Sequence, residues 1–250
     1  MRWTRQDVAG LLRERGLRPR RSLGQNFLVD ANFLDAIVRD ADVGPRDGVV
    51  EIGSGIGNLT DRLAEKAGHV WGFEVDPGMI GLARELLAGR GNVTLLQRDG
   101  LEFPGVVDPR PWDRLKVVSN LPYAEWKRLL LGLLSSPLEV DSYTLMVQRD
   151  VAERLRARPG TREYGPMAVL LQGACEAKAV RRAGKELFFP VPRVDSVVLS
   201  VRRKDRSLDF TAAEVRLRAL FSGRRKKSAA AGGRRVEELP PGELLALARD

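Results

Sequence analysis

Apolar and polar positions alternate along the chain with two different periods, and the switches between them mark its elements. Thr4, followed three residues later by Asp7, has the form of a helix capping box, and Gly16 supplies a stop. The stretch between them predicts a short amphipathic helix. Asp30 stands where a second helix, running to about Asp40, needs its cap, and residues 44–48 (GPRDG) predict a turn. From there β-rich and helical runs take turns. Residues 48–53 (GVVEIG), 69–75 (HVWGFEV), 92–99 (NVTLLQRD), 115–120 (LKVVSN) and 141–148 (DSYTLMVQ) read as strands. Residues 58–66, 77–89 and 125–134 read as helices, the second opening on Pro77. This alternation predicts an α/β fold with a mostly parallel sheet covered on both faces. Near residue 174 it stops. Residues 174–183 and 194–203 are two β-like runs joined by a Pro-rich loop, expected as an antiparallel pair at the sheet's edge.

After about residue 204 the texture becomes helical. Val215, Leu217, Leu220 and Phe221 are available for packing in residues 211–223, a basic low-complexity stretch follows at 224–235, and a last short helix is expected at 240–250. The expected division is 1–204 for the α/β domain, with a basic N-terminal arm, and 205–250 for a small basic helical domain.

Composition narrows the chemistry. Of 250 residues 43% are hydrophobic, enough for a sizeable core. No run approaches the ~18–20 unbroken apolar residues of a membrane span, and the charged N-terminus lacks a signal peptide's apolar core. A cytoplasmic protein without a membrane partner is expected. The single cysteine, Cys175, allows no internal disulfide and reads as a small buried core residue, which argues against a covalent cysteine intermediate. With one histidine, His69, there is no His/Cys set for zinc, and no Ser-His-Asp triad unless His69 serves it. No metal is expected. The net charge of +9 is confined to residues 201–235, where twelve Lys and Arg face only Asp205, Asp209 and Glu214. Localised positive charge of this kind is the footprint of a polyanion; a nucleic acid is the expected partner, and residues 205–250 are the domain expected to dock RNA.

The strongest local signal is a strand that runs into a glycine-rich turn and then a helix: Glu51, Gly53, Gly55 and Gly57 within residues 49–57 (VVEIGSGIG). Glycines let the backbone turn sharply and approach a ligand closely. Glu74 follows 21 residues after Gly53, where an acid holds a ribose diol. The spacing is not that of a dinucleotide binder, and no P-loop is present. S-adenosylmethionine carries no phosphate, and its sulfonium and ammonium groups favour nearby carboxylates. Asp99, ending the run NVTLLQRD, is placed to take its adenine amine.

The next strand end is Asn120-Leu121-Pro122-Tyr123. Ligands of open α/β sheets sit beyond the carboxyl ends of strands, so this tetrapeptide faces the cofactor's methyl group. The lone pair of an adenine amine is delocalised into the ring. The Asn120 side-chain oxygen and a backbone carbonyl, assigned to Leu121, can accept both amine hydrogens and favour a pyramidal nitrogen. Pro122 stiffens the turn and Tyr123 offers a stacking face, worth roughly 1–3 kcal/mol per base.

Residues 24–28 (GQNFL), the 51–57 loop, Glu74, Asp99, Asn120 to Tyr123 and residues 188–196 (FFPVPRVDS) together resemble the ribosomal RNA adenine N6-dimethyltransferase family, over nearly the whole chain. The resemblance implies a Rossmann-like S-adenosylmethionine-dependent methyltransferase domain with a small C-terminal helical domain. It implies that Asn26 and Leu28 line the cofactor site with Gly53, Glu74, Asp99 and Asn120, and that Tyr123 and Phe188 sandwich a flipped base. Asn120 to Tyr123, Tyr164-Gly165 and the 188–196 stretch are closer to the branch that dimethylates two adjacent adenines near the 3′ end of small-subunit (16S) RNA during ribosome biogenesis. The partner implied is ribosomal RNA in a small-subunit precursor, bound by a monomer. Arg20, Arg21, Arg224, Arg225, Lys226 and Lys227, with Arg13, Arg15 and Arg18, are the expected phosphate contacts. The alternatives are the large-subunit enzyme of the antibiotic-resistance type and a non-catalytic assembly factor on the same fold. Two segments depart from the family. Ala124-Glu125-Trp126-Lys127 stands where Asn-Ile and then Ser/Thr-Pro are usual, and residues 228–233 (SAAAGG) replace a familiar helix. These departures are expected to affect RNA docking and the second methylation and to leave the cofactor site intact.

Overall fold

Strand β2 (Asp47–Ile52) is buried along its whole length, which its apolar run requires, because it has a parallel neighbour on each side and helices over each face. The neighbours are β3 (His69–Phe73) and β5 (Arg114–Asn120). With β4 (Val93–Leu96), β6 (Ser142–Gln148), β7 (Cys175–Ala183) and β9 (Ser196–Arg203) they make a seven-stranded sheet of order β4-β3-β2-β5-β6-β9-β7. The first five strands are parallel; β9 runs antiparallel to both β6 and β7, so the expected edge pair is present. The structure is a computed structural model and describes residues 4–227, 229 and 231–249.

Residues alternate between the two faces. Val50, Val117, Tyr143 and Leu199 enter one core with α5 (Trp126–Leu134); Val49, Val70, Val118 and Met146 enter the other. Helices α1 (Arg5–Glu14), α2 (Ala31–Asp40), α3 (Asn58–Ala64) and α4 (Pro77–Leu86) cover that second face. Their starts are written in the sequence. Thr4 and Asp7 form the capping box of α1, Asp30 accepts from the Phe33 N–H, and Asp76 accepts from Gly78 and Met79 ahead of Pro77.

Several elements differ from expectation. Strand β4 stops at Leu96, so Asp99 does not end a strand; it caps the 3-10 turn Gly100–Gly105. Two unforeseen helices, α6 (Arg149–Leu155) and α7 (Pro166–Ala174), follow β6. A second, two-stranded sheet pairs β1 (Phe27–Leu28) with β8 (Phe188–Phe189). Beyond β9, α8 (Phe210–Ser222) and α9 (Pro241–Leu247) pack on α7 and share its core through Leu217, Leu244 and Leu245. Of the apolar residues expected to pack from α8, Leu217 is buried and Leu220 and Phe221 are partly so, but Val215 is 60% exposed. The buried face follows Phe210, Ala213, Glu214 and Leu217, a helical spacing that excludes Val215. The basic stretch is closed by a backbone bridge between Lys227 and Arg235, and Ser228 and Ala230 within it lie outside the described residues.

Candidate active site

The strand order reverses between β2 and β5, and the crevice beyond their carboxyl ends is where an open α/β sheet holds its ligand. A cavity of about 260 Å³ lies there. The glycine loop after β2 and the Asn120 loop after β5 form its floor and meet where Gly53 faces the Pro122 ring. Residues 22–28 close it from above. Two glycines are obligatory. Gly55 has φ +56°, and a Cβ there would stand 2.8 Å from the Phe27 ring. Gly24 has φ +64°, and a Cβ there would stand 2.8 Å from the Tyr123 backbone nitrogen. Gln25 fastens the covering segment by accepting from the Arg20 N–H at 2.7 Å and donating to Asp76 at 3.2 Å.

Asn26, Leu28, Gly53, Gly55, Glu74, Asp99 and Asn120, all expected at the cofactor, line this one cavity. Glu74 is fixed by the Gly55 N–H at 2.9 Å and the Asp76 N–H at 2.8 Å; its burial raises its pKa, and those N–H groups pull the other way. Glu51, which opens the loop, also faces the cavity and accepts from the Thr60 hydroxyl at 2.5 Å. Complete burial, with a smaller contribution from Glu74, pushes its pKa up to about 8. The Asp99 carboxylate accepts from Leu101 N–H at 3.0 Å and from Arg128 at 2.9 Å. Three carboxylates around a cavity with apolar walls fit a ligand that is both cationic and adenosine-like, as S-adenosylmethionine is.

Among the described residues the Asn120 side chain makes one hydrogen bond: its Nδ2 donates to the Asn26 carbonyl at 2.9 Å. Its Oδ1 is buried and has no donor among the described residues. Leu121 is wholly buried in the core and donates its N–H to the Met146 carbonyl at 3.1 Å, while Pro122 lines the cavity. Tyr123 and Phe188 lie outside the cavity lining. The Tyr123 hydroxyl meets Ser196 Oγ at 2.7 Å, and burial pushes its pKa up to about 12. Phe188 exposes none of its surface, so its ring offers no open face in this structure. Arg5 holds this segment by donating to the Glu186 and Phe188 carbonyls at 2.7 and 3.3 Å.

The structure separates the basic residues. Arg225, Lys226 and Lys227 are exposed. Arg224 turns inward and donates to Glu237, the Thr161 carbonyl and the Arg162 carbonyl at 2.7–3.1 Å. Arg20 is exposed beside Asp76 at 3.4 Å, and the Arg21 side chain lies outside the described residues. His69 starts β3, at the end of the sheet away from the cavity, and its Nε2 pairs with the Thr94 hydroxyl at 2.9 Å. Cys175 is buried, as expected, and its thiol is pushed up to about 12. Among the described residues no helix is long and apolar enough to cross a membrane.

The segment that departs after Tyr123 reaches the cavity: Glu125 lines it, and so does Arg128 one residue beyond the segment. Arg128 bridges Asp99 and Glu125, an arrangement foreshadowed only by the i,i+3 spacing of Glu125 and Arg128.

Residues 16–231 match the family described as Ribosomal RNA adenine dimethylase. The chain is 42% identical over 237 residues to the Ribosomal RNA small subunit methyltransferase A of Moorella thermoacetica, spanning 86% of this chain and 79% of that protein. It is 40% identical over 202 residues to the protein of the same name from Shouchella clausii, spanning 79% and 68%. Among solved structures it is similar to a dimethyladenosine transferase from Plasmodium falciparum, with a TM-score of 0.74 and 25% identity over 87% of this chain and 94% of that one. It is also similar to the 23S rRNA methyltransferase ErmE, with a TM-score of 0.65 and 27% identity over 89% and 98%. The chain belongs to the ribosomal RNA adenine dimethylase family.

Proposed function

We propose that this enzyme dimethylates N6 of adjacent adenines near the 3′ end of 16S ribosomal RNA, in a precursor of the small subunit. The observation that carries the reading is the buried Oδ1 of Asn120, which has no donor among the described residues and whose amide is oriented by its bond to the Asn26 carbonyl. A buried acceptor left open is costly unless a ligand supplies a donor, and an adenine amine supplies two hydrogens. S-adenosylmethionine supplies an electrophilic methyl group when bound. Glu74 is the residue for its ribose, Asp99 for its adenine amine and Glu51 for its positive charge, while Asn26, Leu28, Gly53 and Gly55 shape the walls. Asn120 Oδ1 accepts one hydrogen of the target amine, and the Leu121 carbonyl is assigned the other. The nitrogen lone pair is thereby freed, and positioning is the main catalytic device. Tyr123 and Phe188 stack on the flipped base once the segment that buries Phe188 opens.

In this reading residues 205–250 dock RNA, with Arg225, Lys226 and Lys227 on phosphates and Arg20 at the cavity side. The protein acts as a monomer in the cytoplasm. The test is transfer of labelled methyl groups to unmethylated small and large subunits, followed by nucleoside analysis. Dimethyladenosine in small-subunit RNA is the expected product. Label in large-subunit RNA moves the enzyme to the other branch, and no label with cofactor bound overturns catalysis on these substrates.

A further inference from the structure

Arg128 lies in the first turn of α5, just past the residues where this chain departs from its family's usual sequence. Its guanidinium is held at both ends: Nη1 donates to Asp99 Oδ2 at 2.9 Å, and Nε donates to Glu125 Oε2 at 2.7 Å. All three residues line the cofactor cavity. The Arg128 side chain is 49% exposed, so it forms the rim of the cavity and not its floor. The other Asp99 oxygen accepts from the Leu101 backbone. The carboxylate is thus held through both oxygens and cannot turn without breaking a bond to the backbone or to α5. An exposed ion pair adds little to stability. The same pair acts strongly on geometry, because a planar guanidinium fixed between two carboxylates has one orientation and a face suited to stacking.

We propose that Arg128 is a positioning residue for the cofactor, clamping Asp99 in the rotamer that receives the adenine amine and closing the adenine end of the cavity. Glu125 keeps the guanidinium in place. The proposal rests on the reading that Asp99 faces the cofactor's adenine. The altered segment after Tyr123 then serves as an ion-pair tie across the cavity mouth.

The test measures binding to the full chain by calorimetry, and dissociation by stopped flow, with S-adenosylhomocysteine and with adenosine as probes. Arg128→Ala should weaken both ligands by a similar factor, about tenfold, mainly through faster dissociation. In turnover the effect should fall on KM for the cofactor and not on kcat. Glu125→Gln should shift affinity the same way by less, and Arg128→Lys should recover part of the loss, since an ammonium reaches one carboxylate at a time. Unchanged affinity in Arg128→Ala overturns the proposal, and so does a drop in Tm with a parallel loss of kcat, which would make the residue structural. Failure of the wild-type chain to bind either probe would instead overturn the cofactor reading itself.

Discussion

The hydroxyls of Tyr123 and Ser196 meet at 2.7 Å, tying the turn after β5 to the first residue of β9. Both ends of the segment that carries Phe188 are therefore anchored, one by Arg5 and the other by this bond. Tyr123→Phe keeps the ring and leaves the wholly buried Ser196 hydroxyl without its partner. Such a loss costs about 1–3 kcal/mol, and each kcal/mol lowers Tm by roughly 2–4 °C in a chain of this size. Thermal melts should show that drop, and Ser196→Ala should reproduce most of it. Tyr123→Ala, which removes the stacking face as well, should be distinctly worse in single-turnover assays. Equal rates for Phe and Ala at this position would rule out stacking.

Asn120→Ala removes the open acceptor and should lower kcat by about two to three orders of magnitude, the scale seen when one preorganised polar group is deleted from an active site. Cofactor affinity should stay within a few-fold, because the cavity walls and acids remain. Undiminished turnover in single-turnover assays would refute its assigned role.

Glu51 ties cofactor binding to pH. Its pKa is raised from 4.5 to about 8, so the empty site holds it protonated at neutral pH. A cationic ligand favours the carboxylate, and binding then expels a proton. Affinity should climb by up to about tenfold per pH unit and level off above pH 8. Glu51→Gln should remove that slope, and whatever slope persists belongs to the ligand. The unfolded chain loses this proton near 4.5 and the folded one near 8. Stability of the ligand-free wild type should therefore fall, relative to Glu51→Gln, as pH rises through that window. Parallel profiles for the two proteins, in calorimetry and in melts, would sink both claims.

Arg225, Lys226 and Lys227, changed together to Ala, should weaken RNA binding and flatten its salt dependence, by up to about 0.7–0.9 in slope for each phosphate no longer neutralised. Arg224→Ala should behave differently. Its bonds to Glu237 and to the Thr161 and Arg162 carbonyls hold the C-terminal segment against the rest of the chain, so its loss should appear in Tm. A salt slope unchanged in the triple variant would remove these residues from the RNA interface.

The elements legible in the sequence are those whose burial leaves a periodic or capped trace. Residues 48–53 read as a strand because β2 is covered on both faces, and Asp30 and Asp76-Pro77 announce α2 and α4 through their caps. Helix α7 is hidden for the opposite reason. Its residues PMAVLLQGA are apolar almost all round, because α6, α8 and α9 pack on it from several directions, and no 3.6-residue stripe survives. Strands β1 and β8 have two residues each, too few for any period. In the site, Glu51, Glu74 and Asn120 are legible because strand ends converge in this topology. Arg128 is not, since its role arises where α5 meets the Asp99 turn, residues far apart in sequence.

The β1–β8 ladder pairs Leu28 with Phe188 and Phe27 with Phe189. One rung joins Leu28, in the wall of the cofactor cavity, to Phe188, the residue assigned to the base under the proposed function. On that reading the two ligands are expected to share a coupling free energy, and coupling is reciprocal: the factor by which cofactor tightens RNA is the factor by which RNA tightens cofactor. An enzyme that must place two methyl groups has to exchange spent cofactor between transfers, and the proposed function assigns this two-rung ladder the task of linking the grip on the RNA to the filling of the cofactor cavity.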